Sequence, residues 1–350
     1  MTVTEAVRNE TRKGMEGFLD QLVLGEEVQV NGGVVLPLMC EGGRSDRLHI
    51  TLGEALERGA KVEEISESGS VPTLLFKNSL PLDVLGLEGE MLVGAKQNRL
   101  LNTAFLSKAG EDLAIPVSCV ESGRWGRSRR RDFGLSTRMV SRFVKGTAKM
   151  GVSQSAAQGG WHSNQGDVWD SVSLEARRMG VHSGTSDLDE VMEGARRRHP
   201  VSETREQVAR VMDGAVGYAL AIEGKWKVVE IVGCLEDASR VKERWVETLA
   251  LDLAIPTIYR GRPRPESSPL TRLRPLLAKA EVRPSVGLGF DIRAHVVLGD
   301  SMGVPNRFNT SIQQPPIGLP TPRHPKALAL SGLMHKNEVL SLSAQIVERQ

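Results

Sequence analysis

Aromatic residues, cysteines and long apolar runs are all scarce in this sequence. Phe, Trp and Tyr make up 4% of the 350 residues, so the core has to be built mostly from Val, Leu, Ile and Met. The three cysteines, Cys40, Cys119 and Cys234, are odd in number, far apart and without a Cys-x-x-Cys pair, which indicates neither a disulfide framework nor a zinc site. No apolar run approaches the ~18 residues of a membrane span.

A strong charge of either sign is also absent. The formal net charge is +2, which provides no overall field to attract nucleic acid or an acidic membrane, and we expect neither as a partner. Residues 1–13 are polar and lack the apolar segment of a secretion signal, so we expect a cytoplasmic protein with reduced thiols. No cluster of His, Asp and Glu has metal-ligand spacing, and no metal is predicted.

The segment from Gly94 to Trp125 carries an unusual density of polar side chains. It begins Gly-Ala-Lys-Gln-Asn-Arg-Leu-Leu-Asn and ends Ile-Pro-Val-Ser-Cys-Val-Glu-Ser-Gly-Arg-Trp. Amides, guanidiniums, a carboxylate, a thiol and an indole therefore fall within two predicted strands, more than an ordinary core hairpin needs. Their density predicts either a ligand-binding surface or a buried polar network.

Glu121 ends the more apolar face of the second strand, where a carboxylate needs hydrogen-bond donors. If the hairpin pairs Leu106 with Leu113, Asn98 falls opposite Glu121, and a shift of one residue brings Arg99 there instead. The sequence leaves both registers open. In either register, we predict that the two polar segments converge in space.

These segments resemble the signature of a family named for its association with ADP-ribosylglycohydrolases and rhodanese-phosphatases. The similarity covers roughly residues 20–350, with poor matching in 126–160 and 258–325. The motifs that carry it are residues 94–99 and 116–121, Asn102, 123–125, Thr51 to Gly59, Val71-Pro72, Asn78, Gln165 to Trp169, Ser183 to Asp187, and His335.

The resemblance implies a link to NAD-utilising and ADP-ribose metabolism, and it assigns no reaction and no cofactor. We hypothesise a site for an ADP-ribose-type nucleotide, in which Arg99 and Arg124 suit pyrophosphate and Trp125 or Trp169 suits adenine. Glu121 would be the general acid/base if the protein is an enzyme. The other predicted ligand contacts, which suit ribose hydroxyls or closure over the site, are Gln97, Asn98, Asn102 and Gln165.

Two other classes of function fit the same residues. The protein could be a non-enzymatic module that senses a ligand or binds a protein partner, or the polar cluster could only stiffen the fold. Cys119 as a nucleophile needs a nearby base, and a small core residue is the commoner role for a cysteine in an apolar strand. The arginines of 129–131 are typical of a solvated loop, and His335 is typical of a hydrogen-bonded structural histidine.

The pattern of elements predicts one α+β domain over residues 15–350. We expect a mostly antiparallel sheet or partial β-barrel as its core, with helices against it. Strands and helices do not alternate one by one, so a doubly wound Rossmann fold is not predicted. Gly287-x-Gly289 is too short for a dinucleotide loop, and no P-loop motif is present.

Three segments are predicted to be irregular. Large apolar residues become rare in 126–164, which indicates a surface excursion or flexible loop. We expect the 165–169 motif that follows it to pack near the polar hairpin. The segments 256–284 and 304–325 are rich in Pro or Arg and are predicted to be connections.

Local signals place two helices with particular clarity. Thr51 and Glu54 have the spacing of a capping box, and Gly59 is a natural end for the helix that follows. A second helix is predicted over 237–253, with a single apolar stripe. That stripe is formed by Val241, Trp245, Leu249 and Leu253.

Overall fold

A computed structural model describes residues 3–41, 47–65, 72–123, 132–255, 265, 267–298 and 326–347. The helices in these ranges are α1 Glu5–Asp20, α2 Leu52–Glu57, α3 Arg142–Ala156, α4 Gln165–Arg178, α5 Leu188–Arg198, α6 Ser202–Val211, α7 Leu235–Ala254 and α8 Pro269–Ala278. The strands are β1 Leu22–Leu24, β2 Val28–Val30, β3 Gly33–Cys40, β4 His49–Thr51, β5 Lys61–Glu64, β6 Thr73–Lys77, β7 Asp83–Gly86, β8 Glu90–Gly94, β9 Arg99–Leu101, β10 Phe105–Ser107, β11 Asp112–Cys119, β12 Asp132–Met139, β13 Gly217–Ile222, β14 Lys225–Val232, β15 Glu281–Pro284, β16 Val286–Gly287, β17 Phe290–Leu298, β18 Lys326–His335 and β19 Glu338–Val347.

The largest sheet is antiparallel and has the order β1-β3-β13-β14-β19-β18-β17-β15, with β2 paired to β3. Its hairpins turn at pairs of residues with positive φ, such as Asn31-Gly32 between β2 and β3 and Glu223-Gly224 between β13 and β14. Two positive φ values in a two-residue turn match the right-handed twist of the strands that the turn joins. Local turn chemistry therefore sets much of this sheet.

A closed barrel of six strands forms the second unit, in the order β11-β6-β5-β12-β8-β9. Its pairs are all antiparallel, and apolar residues such as Phe76 and Ile115 fill it at 0% exposure. A small mixed sheet, β16-β10-β7-β4, lies beside the barrel. The barrel closes without edge strands, which leaves its loops as the places where polar groups gather.

Helices cover both faces of the large sheet. Met15 and Phe18 of α1 and Leu273 of α8 share one apolar cluster with the sheet. Val208 of α6 and Trp245 of α7 share the cluster on the other face. The predicted α7 stripe is confirmed, because its four residues are at most 2% exposed.

The predicted fold class is confirmed. The chain is α+β, with an antiparallel sheet and a barrel as its β core, and it lacks Rossmann topology in the residues described. The capping box at α2 is also present. Thr51 Oγ1 accepts the Glu54 backbone N–H at 3.4 Å, and Glu54 Oε2 accepts the Thr51 N–H at 2.9 Å.

The segment 126–164 differs most from the sequence prediction. Residues 126–131 lie outside the described ranges, but 132–139 form β12 of the barrel and 142–156 form α3. The prediction of a surface loop is wrong for these residues. The buried face of α3 consists of small residues and two lysines, Lys145 and Lys149, so a search for large apolar side chains could not detect it.

The other two segments predicted to be connections have different outcomes. Within 256–284, residues 269–278 form α8 and 281–284 form β15, so this segment is partly regular. Pro269 starts α8 at its first turn, where a missing N–H has no cost. The segment 304–325 lies outside the described residues.

Lys149 of α3 is 0% exposed and ties the barrel side of the molecule to the large sheet. Its Nζ donates to Ser331 Oγ at 2.7 Å and to Ser343 Oγ at 2.7 Å, and it lies 3.0 Å from Glu88 Oε1. Burial lowers the pKa of Lys149 to about 8, while Glu88 acts in the opposite direction. One helical turn away, Lys145 pairs with Glu230 at 2.7 Å.

We expect Trp245→Ala to lower the free energy of unfolding by about 3–5 kcal/mol, the usual cost of deleting a large buried aromatic. Trp245 is 2% exposed and packs edge-on to Tyr218, with ring centroids 5.5 Å apart. Trp169→Ala is the matched control, because Trp169 is 37% exposed. Urea denaturation followed by circular dichroism measures both, and equal losses would contradict the assignment of Trp245 to the core.

We expect Lys149→Met to lower the free energy of unfolding by about 3–5 kcal/mol, because it leaves the Glu88 carboxylate buried without its main partner. The double variant with Glu88→Gln should recover a large part of that loss. Lys108→Met is the control on an exposed pair with Glu111, where the denaturation midpoint should move little. Additive losses in the double variant would show that the pair is not coupled.

Candidate functional site

Four chain segments meet around the turn between β8 and β9, and we call them the signature cluster. The cluster consists of residues 94–102, 118–123, 161–165 and 183–187. Glu121 Oε2 accepts the backbone N–H of Asn98 at 3.1 Å, and the Val120 N–H donates to Asn98 O at 3.0 Å. The predicted convergence of the two polar segments is therefore confirmed.

The strand register differs from both registers considered from the sequence. β9 and β11 pair Arg99 with Cys119 and Leu101 with Val117. Leu106 does not take part in this hairpin, because β10 leaves the barrel and pairs with β7 and β16. The assumption of one continuous strand from 100 to 106 caused the error.

The Arg99 side chain is buried inside the barrel. It is 0% exposed, its Nη1 donates to Gln97 O at 2.8 Å, and its Nη2 lies 3.4 Å from Glu64 Oε1 on β5. Gln97 is itself 3% exposed. This geometry buries the Arg99 guanidinium between Gln97 and Glu64.

Asn102 and Gln165 attach the loop before α4 to the barrel. Asn102 accepts from Ser118 Oγ at 2.7 Å and donates to Trp161 O at 3.0 Å. Gln165 Oε1 accepts the Cys119 N–H, and Gln165 Nε2 donates to Cys119 O, both at 2.8 Å. The Gln165 amide thus imitates a neighbouring strand, and the expectation that this motif packs near the hairpin is confirmed for Gln165.

Trp169 and Cys119 have different surroundings. Trp169 lies one turn into α4 and is 37% exposed. Cys119 is fully buried, and burial raises the pKa of its thiol to about 11. A protonated, inaccessible thiol is a core residue and not a nucleophile.

Asp187 is the most accessible carboxylate of the cluster among the residues described. It caps α5 by accepting the Asp189 N–H at 2.9 Å, and its Oδ1 also accepts from Asn98 Nδ2 at 2.9 Å. Burial raises the pKa of Asp187 to about 6; the Asn98 hydrogen bond opposes this shift and the nearby Glu121 adds to it. The half-buried Asp187 therefore changes protonation close to neutral pH.

The sequence pointed to Asp187 only as the end of a family-like segment. An Asp directly before the apolar, periodic run of α5 is an N-cap signal, and that signal alone gives a structural role. The additional feature is the approach of Glu121, which depends on the backbone contact between Val120 O and the Leu188 N–H at 3.0 Å. Such a long-range contact has no local sequence signal.

Some predicted site residues fall elsewhere. Arg124, Trp125 and 129–131 lie outside the described residues. His335 ends β18, away from the signature cluster, and burial lowers its pKa, with Lys336 adding to the effect.

No metal centre or membrane span is found in the part of the chain that the structure describes. No group of three or more His, Cys, Asp and Glu residues there could hold a metal ion. None of the described helices is long and apolar enough to cross a membrane.

A family model described as the ARG and Rhodanese-Phosphatase-superfamily-associated Protein domain matches residues 21–309. The match spans well over half of the chain, so the chain belongs to this family. Comparison with curated proteins and with solved structures found no match.

We expect Asp187→Asn to change the pH dependence of stability. The folded-state pKa of about 6 lies above the ordinary 3.8, so the folded protein binds this proton more tightly, and the associated stability is lost as pH rises from about 4 to 6. The variant, which keeps the N-cap, should therefore gain stability relative to wild type as pH rises through this window.

Urea denaturation at pH 4.5, 5.5 and 7.0 measures this difference. Asp213→Asn is the control, because Asp213 has a side chain that is 84% exposed, and its curve should run parallel to wild type. A parallel curve for Asp187→Asn would contradict the raised pKa.

Proposed function

We propose that this protein binds an ADP-ribose-type nucleotide at the signature cluster. The observation that carries the proposal is the pair of carboxylates, Asp187 and Glu121, held around Asn98 where the family-like segments meet. Carboxylates accept hydrogen bonds from hydroxyls, so the accessible Asp187 suits a ribose, with Glu121 held behind it. The family's association with ADP-ribosylglycohydrolases supports the same ligand class.

The cluster contains a deep layer and an accessible layer. Gln97, Asn98, Arg99, Asn102 and Glu121 are all at most 5% exposed, and their partners are largely backbone groups and one another. Such buried residues fix the geometry of a site and do not contact the ligand directly. We assign ligand contact to the half-buried Asp187 and Gln165, with the deep residues holding them in place.

In this proposal, Arg124 binds the pyrophosphate and Trp125 binds the adenine. Arg124 is the next residue after Gly123, whose N–H donates to Thr185 O at 2.9 Å. A guanidinium suits a pyrophosphate. Arg99, committed to Gln97 and Glu64, is not part of the proposed contact.

If the protein processes its ligand, Asp187 is better suited than Glu121 to donate and accept a proton. General acid–base catalysis works best when the pKa of the group is close to the working pH, and the pKa of Asp187 is about 6. Glu121 is 1% exposed and accepts a backbone N–H. In this proposal Glu121 holds the backbone of Asn98 in place and adds to the raised pKa of Asp187.

The test is a titration of ADP-ribose, NAD, AMP and ribose 5-phosphate, followed by thermal shift and calorimetry. A ligand at about 100 times its Kd stabilises the folded state by about 2.7 kcal/mol, which should raise Tm by a few degrees. We expect ADP-ribose to bind more tightly than AMP, because AMP lacks the second ribose.

Variants separate a ligand site from a structural network. Glu121→Gln and Asp187→Asn should weaken ADP-ribose binding about tenfold or more, at little cost in Tm, while Asp213→Asn should bind as wild type does. Glu121→Gln with a large loss of Tm and unchanged binding would mean that the cluster only stiffens the fold. Absence of binding for all four compounds would reject the nucleotide proposal and favour a partner-binding module.

A further inference from the structure

A polar cavity lies apart from the signature cluster. It is a cleft of about 460 Å³ between α1, the start of α7 and the β18–β19 turn. Its polar lining includes Arg47, His49, Cys234 and Asp237, none of which belongs to the signature cluster. Small-molecule sites are typically cavities of roughly 300–1,000 Å³, with apolar walls and a few convergent polar groups.

His49 is held in the cleft wall by a buried carboxylate. Its Nε2 lies 2.7 Å from Asp237 Oδ2, and the Asp237 side chain is 1% exposed. Asp237 Oδ1 also accepts from Arg47 Nη1 at 2.9 Å, and Oδ2 accepts from the Cys234 thiol at 3.2 Å. Burial opposes ionisation, but the hydrogen bonds from His49 and Arg47 hold the pKa of Asp237 below its ordinary value.

The ionised Asp237 determines which nitrogen of His49 carries the proton. A carboxylate can only accept, so Nε2 must donate, and the lone pair of the neutral ring is then on Nδ1. The His49 side chain is 9% exposed, and no described residue makes a hydrogen bond to Nδ1. The cleft therefore contains a fixed acceptor that the rest of the described protein leaves to a ligand.

The charges around His49 indicate a neutral ligand. Arg47 contacts three carboxylates, from Glu54 at 2.7 Å, Asp237 at 2.9 Å and Glu236 at 3.1 Å. The carboxylates around the guanidinium outnumber it, and the other two charged residues of the lining, Lys13 and Glu338, are of opposite sign, so the cleft offers no surplus positive charge to an anion. An acceptor beside buried carboxylates suits a ligand that donates a hydroxyl proton.

The remaining walls suit the carbon skeleton of such a ligand. Phe18, Val339 and Leu340 line the cleft, and α1 presents Gly14 and Gly17 to it. A Cβ added at Gly17 would meet no atom within 4 Å, so this part of the cleft is open. Apolar walls with a few convergent polar groups are typical of small-molecule sites.

We propose that this cleft is a second ligand site, which binds a small neutral polyhydroxyl compound through a hydroxyl donated to His49 Nδ1. Asp237 positions His49, and Arg47 keeps Asp237 in place through its link to Glu54. The proposal does not depend on nucleotide binding at the signature cluster.

The test uses 15N-glycine-labelled protein and D-ribose as the probe. Gly14, Gly17 and Gly233 all line the cleft, whereas Gly123 contacts Thr185 in the signature cluster. We expect ribose to shift the amide resonances of the three cleft glycines in a saturable way. In the same spectrum, ADP-ribose binding at the signature cluster would be read from Gly123, so the two proposals fail or succeed separately.

Two variants test the role of the cleft. His49→Gln keeps an N–H that can reach Asp237 and removes the ring acceptor, and we expect it to bind ribose about tenfold more weakly, as for the loss of one hydrogen bond. Gly17→Leu fills the open part of the cleft without touching His49 and should abolish the ribose shifts at Gly14 and Gly233. His199→Gln, on the far end of α5, is the matched control and should bind as wild type does.

Three outcomes would overturn the proposal. The first is the absence of shifts at the cleft glycines at about 100 mM ribose, a concentration at which even weak binding should be detected. The second is unchanged ribose affinity in the His49→Gln protein. The third is shifts caused by inorganic phosphate or acetate but not by ribose. If the His49→Gln protein does not fold, the Gly17→Leu variant is the test by itself. Ribose binding that persists in the Gly17→Leu protein would then reject the site.

Discussion

The buried charge of α3 is the constraint on which much of this structure depends. An unpaired ammonium cannot remain in a protein interior, so Lys149 requires the carboxylate of Glu88 and the hydroxyls of Ser331 and Ser343 at the same time. Those partners come from the connection between β7 and β8 and from β18 and β19. One side chain thus joins α3 to both β units, and few placements of the helix could satisfy it.

The same rule explains the signature cluster. A polar residue can be buried when all its groups are paired, and Gln165 shows how this is done at a barrel without a free edge. Its amide makes both backbone hydrogen bonds that a further strand would offer to Cys119. Polar density in a sequence therefore indicates an interior network as readily as a surface. Here the burial of Arg99 and the partial exposure of Asp187 separate the two roles.

Local features of this fold were predictable, and long-range features were not. The capping box at Thr51, the apolar stripe of α7 and the convergence of the polar segments follow from spacing within a few residues or from one hairpin. The register of β9 with β11 required knowing that β10 leaves the barrel. Predicting the burial of Lys149 required knowing its partners, which lie 182 and 194 residues away in the sequence. The local sequence pattern of α3 does not indicate them.

The candidate site was predictable to a similar depth. Composition and family resemblance identified the segments that meet, and Asn98 with Glu121 does form a contact. They did not identify Asp187 as the accessible carboxylate, because its pKa depends on burial and on the approach of Glu121 through tertiary structure. Nor did they identify His49, whose fixed acceptor exists only because Asp237, nearly 190 residues later, holds the other ring nitrogen.

The signature cluster and the cleft respond to acid in different ways, because their carboxylates are paired differently. Glu54 caps α2 and accepts from Arg47, and although burial opposes the shift, these hydrogen bonds lower its pKa to about 2. The stability from Glu54 is present above its ordinary pKa of about 4.5 and is lost as pH falls towards 2. Asp187, shifted in the opposite direction, takes up its proton near pH 6. Mild acidification to about pH 5 therefore changes the charge of the signature cluster while Glu54, through Arg47, still supports the carboxylate that holds His49.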